Sequence, residues 1–474
     1  MPGMGARGRG ATPARGRGDG RWPRGRPGAR PGSPVVLLVL GILLVSAPLP
    51  AAAQPAPAER ALTFAEVAAV ALRDSLQLRA AAFEVAVAQA QLAQARAGRG
   101  PQLTVTGSYT RIQERPGQQM TIPNPFGDPP TVTITLPPPD PNVLAVRLGL
   151  QYPLYTGGRL EAQVALAEAN LRGAEAVFAR VQQQVASAAQ QLYLRGLAAQ
   201  ANLRAAADAL AQAEESLRVA RARERAGVVP RVDVIQAEVA VAGARQGVAR
   251  AEAAVRSVEA ELNAALNLPL STPLRLTEAL VPRPVPVTLE AALPRALEAR
   301  PERRELRARQ DAARAAIELA RSGARPNVTA AVNYDVGGGG LTNLSGAWSV
   351  TLAVTLLLAD GGVTRERVRE AELRLEQLRV QEAQLRQRIE LEVRQAFLAL
   401  RQAAVQIEAA QQGVEQAREA LRLARVRYEA GVGTVLEVLA AQAALAQADA
   451  QHAAALFEQN QARLALLLAM GGTF

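Results

Sequence analysis

The chain has 474 residues, with 54 Lys+Arg against 43 Asp+Glu, one His and no Cys; every basic residue is Arg. The lack of Cys excludes disulfide scaffolds, thiolate metal sites and cysteine nucleophiles, and a lone His leaves little room for histidine metal clusters or Ser-His-Asp chemistry. Aromatic residues make up only 3% of the chain, so Ala, Leu, Gln, Glu and Arg set its character, which favours long helices with thin, regular seams.

Residues 1–53 read as a basic leader followed by a secretory signal peptide. Eight Arg and one Asp fall in the first thirty residues, an apolar run covers Val35–Val45, and Ala51-Ala52-Ala53 supplies a small-residue cleavage site. The apolar run is shorter than the ~20 residues a spanning helix needs. Most of the positive excess lies in this leader, so no nucleic-acid partner is expected.

From Gln54 onward the elements come in a repeated order: helix, strand, loop, strand, very long helix, tight turn, shorter helix. The first set is expected at 62–98, 102–110, 145–155, 159–226 and 231–267, and the second at 289–323, 327–335, 347–358, 363–430 and 435–469. Ala95–Tyr109 matches Ala320–Tyr334, 225 residues on, whereas Leu217–Glu238 matches Leu421–Gln442, 204 residues on. The difference places an extra loop in the first set, the stretch 111–143 with nine prolines, expected to be non-helical and exposed. The chain therefore divides into a first repeat (54–270), a linker (271–288) and a second repeat (289–474).

Both long helices come out at about 100 Å, from 1.5 Å per residue. Thr156 and Asp360 stand ahead of them as capping candidates, and glycines stop them at Gly227 and Gly431. Each flanking short helix is half as long, so two stacked short helices match one rod and a tube of even wall height follows. Gly337–Gly340 reads as a short outer turn, since no Lys and no helix follow it as a phosphate loop requires. His452 has no partner ligand and reads as a wall or surface residue. No carboxylate pair is set apart for acid–base work, so no enzyme is expected.

The strands alternate with period two. Leu103, Val105 and Tyr109 face one way and Thr104 and Thr106 the other. Val146, Leu148 and Leu150 oppose Arg147 and Gln151; Val328, Val332 and Tyr334 oppose Asn327 and Thr329; Trp348, Val350 and Leu352 oppose Ser349 and Thr351. Four such segments suit a membrane β-barrel wall, apolar faces to lipid and polar faces to a water-filled pore. Four strands cannot close a barrel, so the chain must oligomerise. An exported coiled-coil spacer without a pore is the alternative, and the alternating strands argue against it.

The junctions "YPLYTGGR" and "LLLADGG" and the turns "RERAGVVPRVDVIQAE" and "RYEAGVGTVLEVLAAQ" resemble those of the TolC family of outer membrane efflux and secretion proteins. The resemblance covers residues 60–470. It implies a homotrimer: a 12-stranded β-barrel in the outer membrane continuous with a periplasmic 12-helix α-barrel. It implies a mixed equatorial region around Pro269–Pro286, and a loop 111–143 facing outside the cell. It also implies a periplasmic adaptor touching the turns at Gly227, Val228, Val229, Gly431, Val432 and Gly433, and an inner-membrane transporter of RND, ABC or MFS type. Some family members carry an acidic constriction near the tip; here the matching stretches carry Arg218, Arg221 and Arg223, and Arg422, Arg425 and Arg427, instead, with Arg218, Arg221, Arg422 and Arg425 as the gate candidates. The expectation is that Arg–acid contacts between neighbouring helices hold the tip shut.

Overall fold

A computed structural model describes residues 60–472, apart from 115, 137, 139 and 340–342. The leader and signal peptide expected at 1–53 lie outside the described residues. In chain order the elements are β1 (Arg60–Leu62), α1 (Phe64–Asp74), α2 (Leu76–Ala97), β2 (Gln102–Arg111), β3 (Gln118–Pro123), β4 (Thr131–Leu136), β5 (Asn142–Tyr155), α3 (Arg159–Arg225) and α4 (Arg231–Ala265). They continue with β6 (Leu274–Leu276), α5 (Leu289–Ala299), α6 (Pro301–Arg321), a 3-10 turn (Ser322–Ala324), β7 (Asn327–Gly339), β8 (Ser345–Thr355), α7 (Val363–Glu429) and α8 (Val435–Ala469).

The two rods α3 and α7 have 67 residues each. Their starts are capped from two residues further out than a standard N-cap. Thr156 Oγ1 accepts from Leu160 N at 3.3 Å, and the Asp360 carboxylate accepts from Gly362 N at 3.0 Å and Thr364 N at 2.7 Å. The side chain and backbone N–H of Thr364 hold the Asp360 carboxyl below its ordinary pKa.

The single helices expected at 62–98 and 289–323 are each broken in two. Ser75 is extended at φ −66°, ψ 124°; its N–H closes α1 onto Ala71 O, while its hydroxyl accepts from Leu78 N at 3.2 Å to open α2. A serine can thus end one helix and cap the next without any proline or glycine. Arg300 breaks the second pair at φ −64°, ψ 127°, because the following Pro301 pushes it out of the helical region and starts α6 at its first position.

Two other expectations change. The proline-rich stretch 111–143 is not all loop: β3 and β4 form a hairpin within it, with Met120 opposite Ile134 and Ile122 opposite Val132. Gly337–Gly339 belong to β7 rather than to a turn, pairing with Ala145, Leu144 and Val143. β8 also stops at Thr355, leaving Leu356, Leu357 and Leu358 as exposed chain.

The rods are packed by halves. Along α3 run α1 and α2 on its strand-end half and α4 on its turn-end half; α5, α6 and α8 flank α7 in the same way. The sets meet where α6 and α8 lie against α3. Both main cores sit at mid-rod. One gathers Val185, Ala189 and Tyr193 of α3 with Leu62, Leu262 and Leu276; the other gathers Ile389 and Val393 of α7 with Ala292, Ala296 and Leu466. There β1 and β6 pair in parallel, Leu62 opposite Leu276. No helix among the described residues is long and apolar enough to cross a membrane.

Tyr193, 0% exposed, pins this junction: its hydroxyl donates to Leu62 O at 3.1 Å and accepts from Glu278 N at 3.3 Å. Burial pushes its pKa up. Tyr193→Phe leaves the Glu278 N–H without that acceptor and should cost about 1–2 kcal/mol, read as a lower urea midpoint by circular dichroism.

Candidate functional site

The sheet is built from β2, β5, β7 and β8, in that order and antiparallel throughout. Its register aligns the sequence pattern across all four strands. Leu103, Leu150, Val332 and Val350 form one row, and Val105, Leu148, Tyr334 and Trp348 the next. Leu352 and Ala330 extend this apolar face beside Tyr152, Val146 lies opposite Gly107, Tyr109 opposite Leu144, and Val328 opposite Val354. On the other face Thr104 lies with Gly149, Asn333 and Ser349, and Thr106 with Arg147, Asp335 and Ala347. Gln151 and Thr351 flank Ala331, Thr329 is opposite Ala353, and Asn327 is opposite Thr355.

Neither face is covered. Leu103 is 66% exposed, Val105 71%, Trp348 75% and Val350 64%. A soluble sheet buries at least one face against other elements; this one, in a single chain, buries none. All four helical connections leave the sheet at one end, and the hairpin β3–β4 and the glycine run lie at the other. The bare apolar face and the open edges of β2 and β8 are what a membrane wall requires.

At the far ends of the rods lie the two turns. Gly227 at φ 71° and Gly431 at φ 76° each adopt the left-handed region after the helix. Val228 N bonds Arg223 O at 2.9 Å and Gly227 N bonds Glu224 O at 2.9 Å; Val432 N and Gly431 N repeat the pattern onto Arg427 O and Tyr428 O. Val228 and Val432 are exposed at the apex, 62% and 68%, while Val229 is half-buried. At Gly433 a Cβ would fall 3.0 Å from Arg427 Cβ, so the second turn packs tightly on its own helix.

The four Arg expected at the tip do different things. Arg218 and Arg422 each pair within their own helix, to Glu215 at 2.6 Å and Glu419 at 2.7 Å. Arg221 crosses from α3 to Glu238 of α4 at 2.6 Å, and Arg425 of α7 reaches Gln212 of α3 at 3.4 Å. Arg223, also in the Arg-rich stretch, makes a contact that sequence reasoning missed, because its partner is an aromatic residue and not an acid. It donates to Tyr428 O and lies 4.6 Å from the Tyr428 ring centroid, joining the last turns of the two rods. Tyr428 is 6% exposed, and its buried hydroxyl has no partner among the described residues. Burial pushes its pKa up, and nearby Asp233 adds to the rise. The signal was present: Tyr428 stands where the first rod has Glu224, an aromatic at a position otherwise polar. His452 is half-buried on α8, and no group of metal-ligating side chains occurs among the described residues.

The model of the outer membrane efflux protein family matches residues 67–268 and 292–472. The chain belongs to that family. No curated protein matches it. Among solved structures it is similar to VceC from Vibrio cholerae, at 21% identity over 87% of this chain and 96% of that one, with a TM-score of 0.71. It is also similar to the Campylobacter jejuni CmeC outer membrane channel (18%, 87% and 86%, TM-score 0.72) and to the open state of the Neisseria gonorrhoeae MtrE outer membrane channel (20%, 86% and 89%, TM-score 0.70). The family member is thus an outer membrane protein of efflux. An efflux role argues against the spacer without a pore.

Gly227→Ala and Gly431→Ala meet no neighbouring atoms within 4 Å, so only backbone strain opposes them. Each should cost about 1–2 kcal/mol of local turn stability, read as faster proteolytic nicking at the mutated turn alone.

Proposed function

We propose that three copies of this chain close head to tail into one tube, a twelve-stranded β-barrel in the outer membrane continuous with a twelve-helix periplasmic α-barrel. The bare four-stranded sheet carries this reading. Its strands alternate in direction, so β8 of one copy meets β2 of the next antiparallel, and repeating the same contact closes the ring. The helices support it as well. Leu373, Val380, Leu398 and Val405 of α7 are exposed along one edge of the helix row; Leu76 and Phe83 of α2 and Val232, Ile235 and Val239 of α4 are exposed along the other. Those two apolar edges suit each other across a copy-to-copy seam.

In this assembly the Leu103–Val350 face meets lipid and the Thr104–Ser349 face lines the pore. The tube is a passive exit duct of a tripartite efflux or type I secretion system, passing small molecules or proteins. A periplasmic adaptor docks at the Gly227–Val229 and Gly431–Gly433 turns, and an inner-membrane transporter of RND, ABC or MFS type supplies energy. Residues 54–270 and 289–474, linked by 271–288, are a duplicated unit. Val185, Ala189 and Tyr193 recur 204 residues later as Ile389, Val393 and Phe397, again packed at mid-rod. The resting tip is held narrow by the contacts that join the two rods, Arg223 on Tyr428 and Arg425 on Gln212, whereas the pairs of Arg218, Arg221 and Arg422 stay within one helix or one hairpin.

Val350→Arg on the lipid face should cost about 2–4 kcal/mol near mid-membrane and abolish the heat-sensitive oligomer band and the outer-membrane fraction, whereas Ser349→Arg on the pore face should assemble normally. Equal behaviour of the two would end the barrel reading. At the tip, Arg422→Ala with Arg425→Ala, and separately Arg223→Ala, should raise single-channel conductance; unchanged conductance in both would remove the Arg residues from any role in closure.

A further inference from the structure

The four strands of the sheet hold only three charged residues, Arg111, Arg147 and Asp335. Arg111 closes the outer end of β2 in register with Asn142, on the apolar face. The other two share the polar face. Arg147 of β5 and Asp335 of β7 are directly opposed in register, and Arg147 Nε donates to Asp335 Oδ1. Around them the face is neutral: Thr106 and Ala347 complete their row, and Thr104, Asn333 and Ser349 lie in the next.

Both side chains remain open to water, 64% and 43% exposed. Such a pair adds little to stability, because solvent screens it. Its effect on dissolved ions is different. A lone wall charge acts over about 10 Å into water at ~0.1 M salt, but only about 3 Å at ~1 M. A charge cancelled by a partner at hydrogen-bond distance leaves only a short-range dipole.

We infer that Asp335 neutralises Arg147 on the lumen wall and so sets the charge selectivity of the membrane section of the duct. The inference rests on the reading that the polar face lines a pore. One pair per copy makes a ring, and the paired ring leaves the wall close to neutral, open to anions and cations alike. Without the carboxylate it becomes a ring of guanidinium groups; without the guanidinium, a ring of carboxylates.

The test is the reversal potential of purified channels in planar bilayers under a KCl gradient near 0.1 M. Relative to wild type, Asp335→Asn should shift selectivity toward anions and Arg147→Gln toward cations, each by roughly twofold or more in permeability ratio. The double variant should return to the wild-type value, and both shifts should shrink near 1 M salt. Wild-type protein that forms no channel would overturn the duct reading and this inference with it. Channels with the same reversal potential in all four proteins would overturn the inference alone. So would loss of assembly in both single variants with rescue in the double, which would make the pair a structural clasp.

Discussion

A sheet of four strands has two edges it cannot hide. β2 and β8 each present a row of unpaired backbone groups, and in hydrocarbon every such group costs several kcal/mol. In water the cost would fall instead on the apolar face, where Leu103, Val105, Trp348 and Val350 stand exposed together. Neither solvent accepts the single chain as it stands. The assembly proposed above satisfies both demands, pairing the edges and presenting one apolar wall to lipid. The rest of the molecule extends this wall.

The rods follow from that extension. At about 100 Å they are far too long to fold back over the sheet. They run away from it side by side, and α6 and α8 keep them together by packing on α3. Ion pairs lace the helices: Arg96 to Glu168 from α2 to α3, Arg172 to Asp311 from α3 to α6, and Arg321 to Glu372 from α6 to α7. Each is weak alone. Buried apolar contact concentrates at mid-rod, where short helices meet end to end and the strap from β6 to α5 is stapled down. There Gln459 binds both N–H and C=O of Arg283, and Asn460 donates to Val281 O. Arg463 lies beside this strap, its pKa lowered by burial and by the charge of Arg283. The mid-rod belt fixes how the two halves sit, leaving the far turns free to be held by local contacts.

How much of this was legible differs by element. The rods were readable nearly to the residue, because proline is absent from them and glycine ends them, and those are strong backbone signals. Strand faces were readable because period two survives even where single strands are weak signals. The break at Arg300 was written in Pro301, but a continuous helical pattern outweighed it. The break at Ser75 carried no comparable mark: a serine inside a helical run announces a cap only once the chain's path is known. The hairpin β3–β4 was masked by prolines that lie at its ends and connections, not within its paired interior. Gly337–Gly339 looked like a turn, yet glycine also fits a strand where a neighbouring backbone comes close, here with Leu144 O 3.1 Å from where a Cβ would stand. For the Arg223–Tyr428 contact only one half was legible, the aromatic at Tyr428; its pairing with a residue 205 positions away depends on how the two rods lie together.

The placement of charge divides the work of the chain. Arg and acid alternate along the helices, where water reaches them, and nearly vanish from the strands. That division is what membrane insertion asks for: a charge on the lipid face would be expensive, and a charge on the polar face must be either hydrated or matched. Arg147 and Asp335 meet the second condition by pairing across the β5–β7 seam, where the first set of elements joins the second. A wall of Thr, Ser, Asn and Gln binds little and repels little. Such a surface suits a conduit whose selection happens elsewhere. On the proposed reading that this face lines a pore, such a wall gains nothing by holding what passes along it.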